Sequence, residues 1–202
     1  MTNRFLEATR RIHDVAVVDE SFDELMGMLD YPVFVVTAQA DGQPSGCLVS
    51  FANQASVEPP IFQVGISKST DTCAVASRSQ YLAVHVLARH HRALAELFGG
   101  HGDDSSKFHR SRWRAGPQGM PILDDAIAWF VGRAVGRLEV GDHVQYMLQP
   151  VATWAPDCSD DPLYLSDIDD IDPGHEETFR MFGSAPADPT PRYGLRFTLD
   201  GL

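Results

Sequence analysis

The sequence predicts a mainly β fold, an antiparallel barrel with helices inserted at its edges, and three observations point to it. Six or seven runs rich in Val, Ile, Phe and Thr are separated by turn residues. Most of these runs follow one another closely enough to be joined as hairpins. A doubly wound parallel sheet needs regular strand–helix alternation and a glycine fingerprint, and neither is present.

Residues 1–20 mix Arg4, Glu7, Arg10 and Arg11 with Phe5, Leu6, Ile12 and Val15, the pattern of an amphipathic extension lying outside the barrel. The predicted domain spans residues 21–166. It opens with a helix over Phe22 to Leu29: Ser21 and Glu24 have capping-box spacing, and Phe22, Leu25, Met26 and Leu29 share a face. Pro32 ends it, because the residue before a proline is pushed out of helical geometry. Val33 to Ala40 is a strand, Asp41-Gly42 a hairpin turn, and Ser45 to Phe51 the returning strand. A polar bend of Asn53, Gln54 and Ser56 follows, then Glu58-Pro59-Pro60, which lacks the amides of a central ladder and forces a corner before the strand Ile61 to Ile66. Thr70 to Ser77 is a short helix, Tyr81 to Leu87 a strand, and His91 to Phe98 a helix with Leu94, Ala95 and Phe98 inward. Gly99 to Gly119 is the longest irregular region. Ala126 to Val140 and His143 to Trp154 form a hairpin about Gly141-Asp142, and Pro162 to Ser166 adds a last short strand. Residues 167–202 are an acidic, Pro/Gly-punctuated tail that wraps a neighbour or stays loose.

The formal charge of −12 sets the whole-molecule field against nucleic acid and anionic membranes, so a bound phosphate has to be held by local groups. The charge is uneven. Lys107, Arg110, Arg112 and Arg114 sit within eight residues, whereas Asp157 to Glu177 carries nine acids and no lysine or arginine. Three widely spaced cysteines, Cys47, Cys73 and Cys158, suit a reducing compartment, and the charged N-terminus has no signal-peptide core. The expected location is cytoplasmic. No metal site is expected, since the adjacent His90 and His91 face different sides of a helix and no cysteine or carboxylate falls at ligand spacing.

The chemistry concentrates in Gly46 to Thr72. The apolar runs Cys47 to Phe51 and Ile61 to Ile66 offer a wall for a flat ring system, the polar bend between them offers amides to its edge, and Ser67-Lys68-Ser69-Thr70-Asp71-Thr72 offers hydroxyls, backbone N–H groups and a cation to an anion. Read alone, the same residues make a barrel strand, a Pro-Pro corner and an ordinary N-cap.

Four separated motifs, in order, decide between these readings. They are Gly46…Ser50…Ser56-x-Glu58-Pro59-Pro60, the Ser67–Thr72 turn, Phe98-Gly99 followed by Ser106-Lys107-Phe108, and Gly141-Asp142-His143. From about Phe22 to Ser166 the chain resembles the flavin reductase family of FMN-binding split barrels. It departs in Ser106, where that family carries aspartate, in His85, where it often carries asparagine, and in the acidic tail. The resemblance implies that Ser50, Phe51, Ala52, Asn53, Gln54, Ser56 and Val57 line the isoalloxazine. It further implies that Lys68, Ser69, Thr70 and Thr72 hold the ribityl phosphate, that Phe108 covers the flavin, and that Lys107 reaches a phosphate. His143, oriented by Asp142, would be the catalytic-site residue on the nicotinamide side. The implied activity is NAD(P)H-dependent reduction of FMN, or FAD, by a homodimer, with a monooxygenase as a partner for the reduced flavin. The alternatives are a split-barrel protein that holds FMN or haem without turnover, and a deazaflavin-dependent reductase using the Arg110, Arg112 and Arg114 cluster.

Overall fold

The computed structural model describes residues 20–100, 102–157, 160–168 and 197–198. The chain divides into two units between Asp30 and Tyr31. In the first, helix α1 (Glu20–Gly27) ends in two tight turns, Met28 N–H to Leu25 O and Leu29 N–H to Met26 O. It is the expected helix, begun and ended two residues earlier. The amphipathic segment before it and most of the acidic tail lie outside the described residues.

The second unit is built on one antiparallel sheet. Its strands are β1 (Phe34–Ala40), β2 (Gln43–Val49), β3 (Ala52–Ser56), β4 (Ile61–Ser67), β5 (Tyr81–Val86), β8 (Ala128–Val140) and β9 (His143–Trp154), hydrogen-bonded in the order β2-β1-β5-β8-β9-β4-β3. A two-residue strand, β10 (Phe197–Thr198), pairs with Leu138 and Arg137 of β8. Among the described residues no ladder joins β2 to β3, although only Ser50 and Phe51 separate them in sequence. Asp41 and Gly42 both take positive φ (52° and 75°), which gives the β1–β2 turn the twist its strands require.

β1 is buried along almost its whole length, with only Gln39 partly exposed, because both of its faces are covered. Phe34, Val36 and Ala38 enter one core with Val64, Ile66, Leu82, Tyr146 and Leu148, while Val35 enters a second with Leu87, Phe98, Phe108, Leu123 and Leu163. Helix α2 (Asp71–Ala76) contributes Val75 and Ala76 to the first core, and α3 (Arg92–Gly99) contributes Ala95 and Phe98 to the second.

Four expectations need correcting. Asn53, Gln54 and Ser56 do not form a bend: Ala52–Ser56 is an edge strand paired with β4, with a register shift between Gln54 and Ser56. Its polar sequence hides it, because on an edge strand backbone pairing does not demand buried side chains. The corner itself is where it was expected, at an exposed turn containing a cis Glu58–Pro59 bond. The region from Gly99 to Gly119 is not one irregular loop: it contains α4 (Asp104–Arg110), capped by the Asp103 carboxylate on Ser106 N–H at 2.6 Å, and β6 (Trp113–Ala115), which pairs with β7 (Pro121–Leu123). Residues 162–166 form two isolated bridges, Ala88 with Pro162 and Pro32 with Tyr164, and then a 3-10 turn over Leu165–Asp167 rather than a strand. His90 and His91 lie in a 3-10 turn (Arg89–His91) that brings their rings together, 4.1 Å between centroids.

Candidate functional site

Parts of three of the four motifs meet at one end of the β3–β4–β9 portion of the sheet. The register of β4 and β9 sets Ser67 opposite His143, so the β8–β9 hairpin tip lies against the turn that leads into α2. Lys68 ties the two together. Its N–H donates to Asp142 O at 2.9 Å, and its Nζ donates to Gly141 O at 2.9 Å and to the Glu139 carboxylate at 3.3 Å. The third contributor arrives through the tight bend after β2, where Ala52 N–H bonds to Ser50 O at 2.9 Å and Phe51 O accepts from Gly65 N–H at 2.7 Å. This throws the Phe51 side chain outward, 57% exposed, with its ring edge-on to that of His143 at 5.0 Å between centroids.

His143 is oriented by its neighbour. Its Nδ1 lies 2.8 Å from the Asp142 carboxylate, which makes Nδ1 the protonated nitrogen and leaves Nε2 an acceptor in the neutral ring. The adjoining turn is a compact set of hydroxyls. Ser67 and Ser69 bond to one another at 2.8 Å, and Thr70 donates to Ser67 O at 2.8 Å while accepting from Cys73 N–H at 3.2 Å as the N-cap of α2. Lys68 and Ser69 face solvent. Thr72 does not. It is 1% exposed, and its hydroxyl accepts from Ser45 at 3.0 Å and interacts with Cys47, whose thiol burial pushes up to about 12.

The remaining ring-lining candidates run away from this corner. Ala52 is half-buried beside Phe51, whereas Ser56 pairs opposite Ile61, six residues of β4 before Ser67, or about 20 Å at strand rise. Val57 lies beyond it, exposed to solvent. Asn53 and Gln54 lie between, their amides engaged with Gln63 and with Ser56 O. Within one chain, Ser50, Phe51, Ala52, Lys68, Ser69 and His143 therefore form one cluster, and Gln54, Ser56 and Val57 belong to the other end of the edge strand.

The Lys107-Phe108 pair sits elsewhere. Phe108 is 6% exposed and packs edge-on between Phe98 and Trp113, at 5.7 and 5.4 Å. The Lys107 amine is turned inward to Gly46 O at 3.3 Å, while Gly46 N–H donates to Asp104 at the same distance. α4 thus grips β2 at Gly46, where a Cβ would come within 2.8 Å of the Phe98 ring. The motif glycine is explained by this close packing. Of the neighbouring arginines, Arg112 is paired with Asp125 and Arg114 with Asp124, which neutralises these two members of the cluster in place.

Sequence reasoning missed Glu139, the carboxylate beside Lys68. Its only signal is a position two residues before the hairpin glycine, and the partnership depends on strand register.

Residues 26–170 match the family model described as a flavin reductase like domain. The chain belongs to this family. A flavin reductase family relative, FMN reductase (NADH) RutF of Methylorubrum extorquens, is 30% identical over 181 residues, covering 87% of this chain and 83% of that protein. Among solved structures, the fold is shared with a flavin reductase of Haemophilus somnus at TM-score 0.68 and 21% identity, over 73% of this chain and 94% of that one. It is shared also with the NADH:FAD oxidoreductase SgcE6 of Streptomyces globisporus at TM-score 0.65 and 21% identity, covering 74% and 92%. BorF, the flavin reductase component of a bacterial two-component tryptophan halogenase, aligns at TM-score 0.64 and 23% identity, covering 72% and 91%. As a flavin reductase family member, the chain has its hairpin tip, hydroxyl turn and Phe51 inside the matched span. No helix among the described residues is long and apolar enough to cross a membrane.

Proposed function

We propose that this protein is an NAD(P)H-dependent flavin reductase, that its sheet is a split barrel, and that FMN, or FAD in its place, binds at the corner formed by Phe51, Lys68, Ser69 and His143. The observation that carries the reading is the convergence of an exposed aromatic ring, an oriented imidazole and a lysine-bearing hydroxyl turn from three separated motifs. The residues fit the group. Phe51 presents an apolar face to a flat ring, Ser50 and Ala52 offer backbone beside it, and Lys68 with Ser69 supplies the local charge and hydroxyl that a phosphate needs on so acidic a chain. When bound, the flavin supplies the redox chemistry, taking a hydride from the nicotinamide cosubstrate.

The protein's own part is positioning. Asp142 accepts from Nδ1–H of His143 and fixes the tautomer, so Nε2 is an acceptor for a carboxamide N–H and holds the nicotinamide in place. Phe51 limits the tilt of that imidazole through their edge-on contact. The activity in the RutF relative's name supports NADH and FMN, and that of SgcE6 supports NADH with FAD. We extend to this chain the homodimer typical of its family, a cytoplasmic location, and a partner monooxygenase as recipient of reduced flavin. The description of BorF as one component of a two-component enzyme supports that last role.

The test is anaerobic reduction of one equivalent of FMN by NADH and then NADPH, followed by bleaching of the visible absorbance. Rapid bleaching is expected, slowed about 10- to 100-fold in His143→Ala by loss of orientation. Flavin that binds but is bleached by neither nucleotide would rule out the reductase reading.

A further inference from the structure

We infer that Gln145 is a specificity-determining residue, whose amide reads the polar edge of the ring bound beside Phe51 and His143; its ligand is a flat heteroaromatic ring carrying an N–H next to a carbonyl. The inference rests on the flavin reductase reading of the site and goes beyond it, since none of the four motifs includes this residue.

Gln145 lies on β9 opposite Gly65 of β4 and Leu138 of β8. Strand alternation puts it on the face that carries His143, two residues earlier, while its neighbour Tyr146 points into the core. The amide lies across the bare Cα of Gly65: a Cβ there would come within 2.6 Å of Gln145 Nε2 and 3.2 Å of its Oε1. Gly65 N–H is the group that holds Phe51 O. Phe51, Gly65 and Gln145 are therefore contiguous, and the glycine is the space into which the amide folds.

Gln145 Oε1 is sealed from solvent and has no hydrogen-bond donor among the described residues. A buried acceptor without a donor is unfavourable and uncommon, and a ligand N–H that reaches it recovers the loss. The residue as a whole is only partly buried, and the terminal torsion of a glutamine is broad, so a small turn presents the oxygen to a ring lying on Phe51. Because the amide carries a donor beside its acceptor, its complement is a paired N–H and C=O. Two parts of the proposed ligands have that pairing, the flavin imide and the nicotinamide carboxamide.

The experiment measures dissociation constants of FMN and NAD⁺ for the wild type, Gln145→Leu and Gly65→Ala, and repeats them with 3-methyl-FMN and 3-acetylpyridine adenine dinucleotide, which lack the respective N–H. Gln145→Leu is expected to weaken one natural ligand about tenfold, with its methylated or acetyl analogue bound equally by variant and wild type. Gly65→Ala displaces only the far end of a flexible side chain and should show the same loss, so it decides the matter even where Gln145→Leu does not fold. The arm that responds identifies the imide or the carboxamide. The inference is overturned if both natural ligands bind folded variants within about twofold of wild type, or if the loss persists with the analogues. A wild type that binds neither FMN nor NAD⁺ overturns the flavin reading first, and this inference with it.

Discussion

His85 is wholly buried in the sheet, with Nδ1 2.9 Å from Val35 O and Nε2 accepting from Leu123 N–H at 3.2 Å. Those bonds require the neutral ring with its proton on Nδ1, and burial lowers the pKa from 6.5 to about 4. Because the folded value lies below the unfolded one, the stability this provides is complete above pH 6.5 and is lost as pH falls towards 4, by roughly 3 kcal/mol over the window. A series of Tm measurements from pH 7.5 to 4.5 should fall more steeply for the wild type than for His85→Asn; parallel curves would remove His85 as the cause. Glu139 makes a second residue-scale case. As an exposed partner of Lys68 at 3.3 Å it competes with any phosphate for the ammonium, so Glu139→Gln should tighten FMN about two- to fivefold and leave riboflavin unchanged. Equal effects on both ligands would show that Glu139 acts on the ring or the fold rather than on the phosphate through Lys68.

At the scale of elements, α4 and β2 are held together through Gly46. Its N–H and C=O are both engaged by α4, and the Phe98 ring of α3 occupies the place of a side chain. Gly46→Ala should cost about 1–3 kcal/mol in denaturant unfolding, the usual penalty for overpacking; a loss below ~0.5 kcal/mol would mean that α3 moves aside freely. Lys107→Met is expected to keep FMN affinity within about twofold, since the amine faces Gly46 and not the Phe51–His143 corner. A large loss of affinity would return Lys107 to the phosphate. The β6–β7 hairpin is fixed in the same manner by polar groups reaching out of the sheet, with Thr37 Oγ1 donating to Pro121 O at 2.6 Å beside the His85 bond. None of these ties announces itself in the local pattern. DSSKFHR has one apolar side chain in seven residues and ANQAS has no large one, so periodicity identifies neither α4 nor β3.

At the scale of the whole molecule, Phe51, Val57, Val151 and Trp154 leave large apolar side chains on the outside of the sheet, in a chain whose net charge of −12 otherwise favours separation. Sedimentation equilibrium should give twice the chain mass, as proposed from the family, and a monomer at micromolar concentration would remove the homodimer. The amino-acid sequence by itself determined the β-rich antiparallel class, the hairpins at Asp41-Gly42 and Gly141-Asp142, the Pro-Pro corner and the motifs of the flavin reductase family. Each of these is written in neighbouring residues, as alternation, turn chemistry or a fixed spacing. Only the tertiary structure decided which motif residues lie side by side. Strand register set Ser67 against His143 and Gly65 against Gln145, helix packing took Lys107, Phe108 and Thr72 inside, and the edge strand carried Ser56 and Val57 away. The physical reason is that a one-residue change of register turns a side chain to the other face of the sheet, and register is set by contacts between segments far apart in the chain.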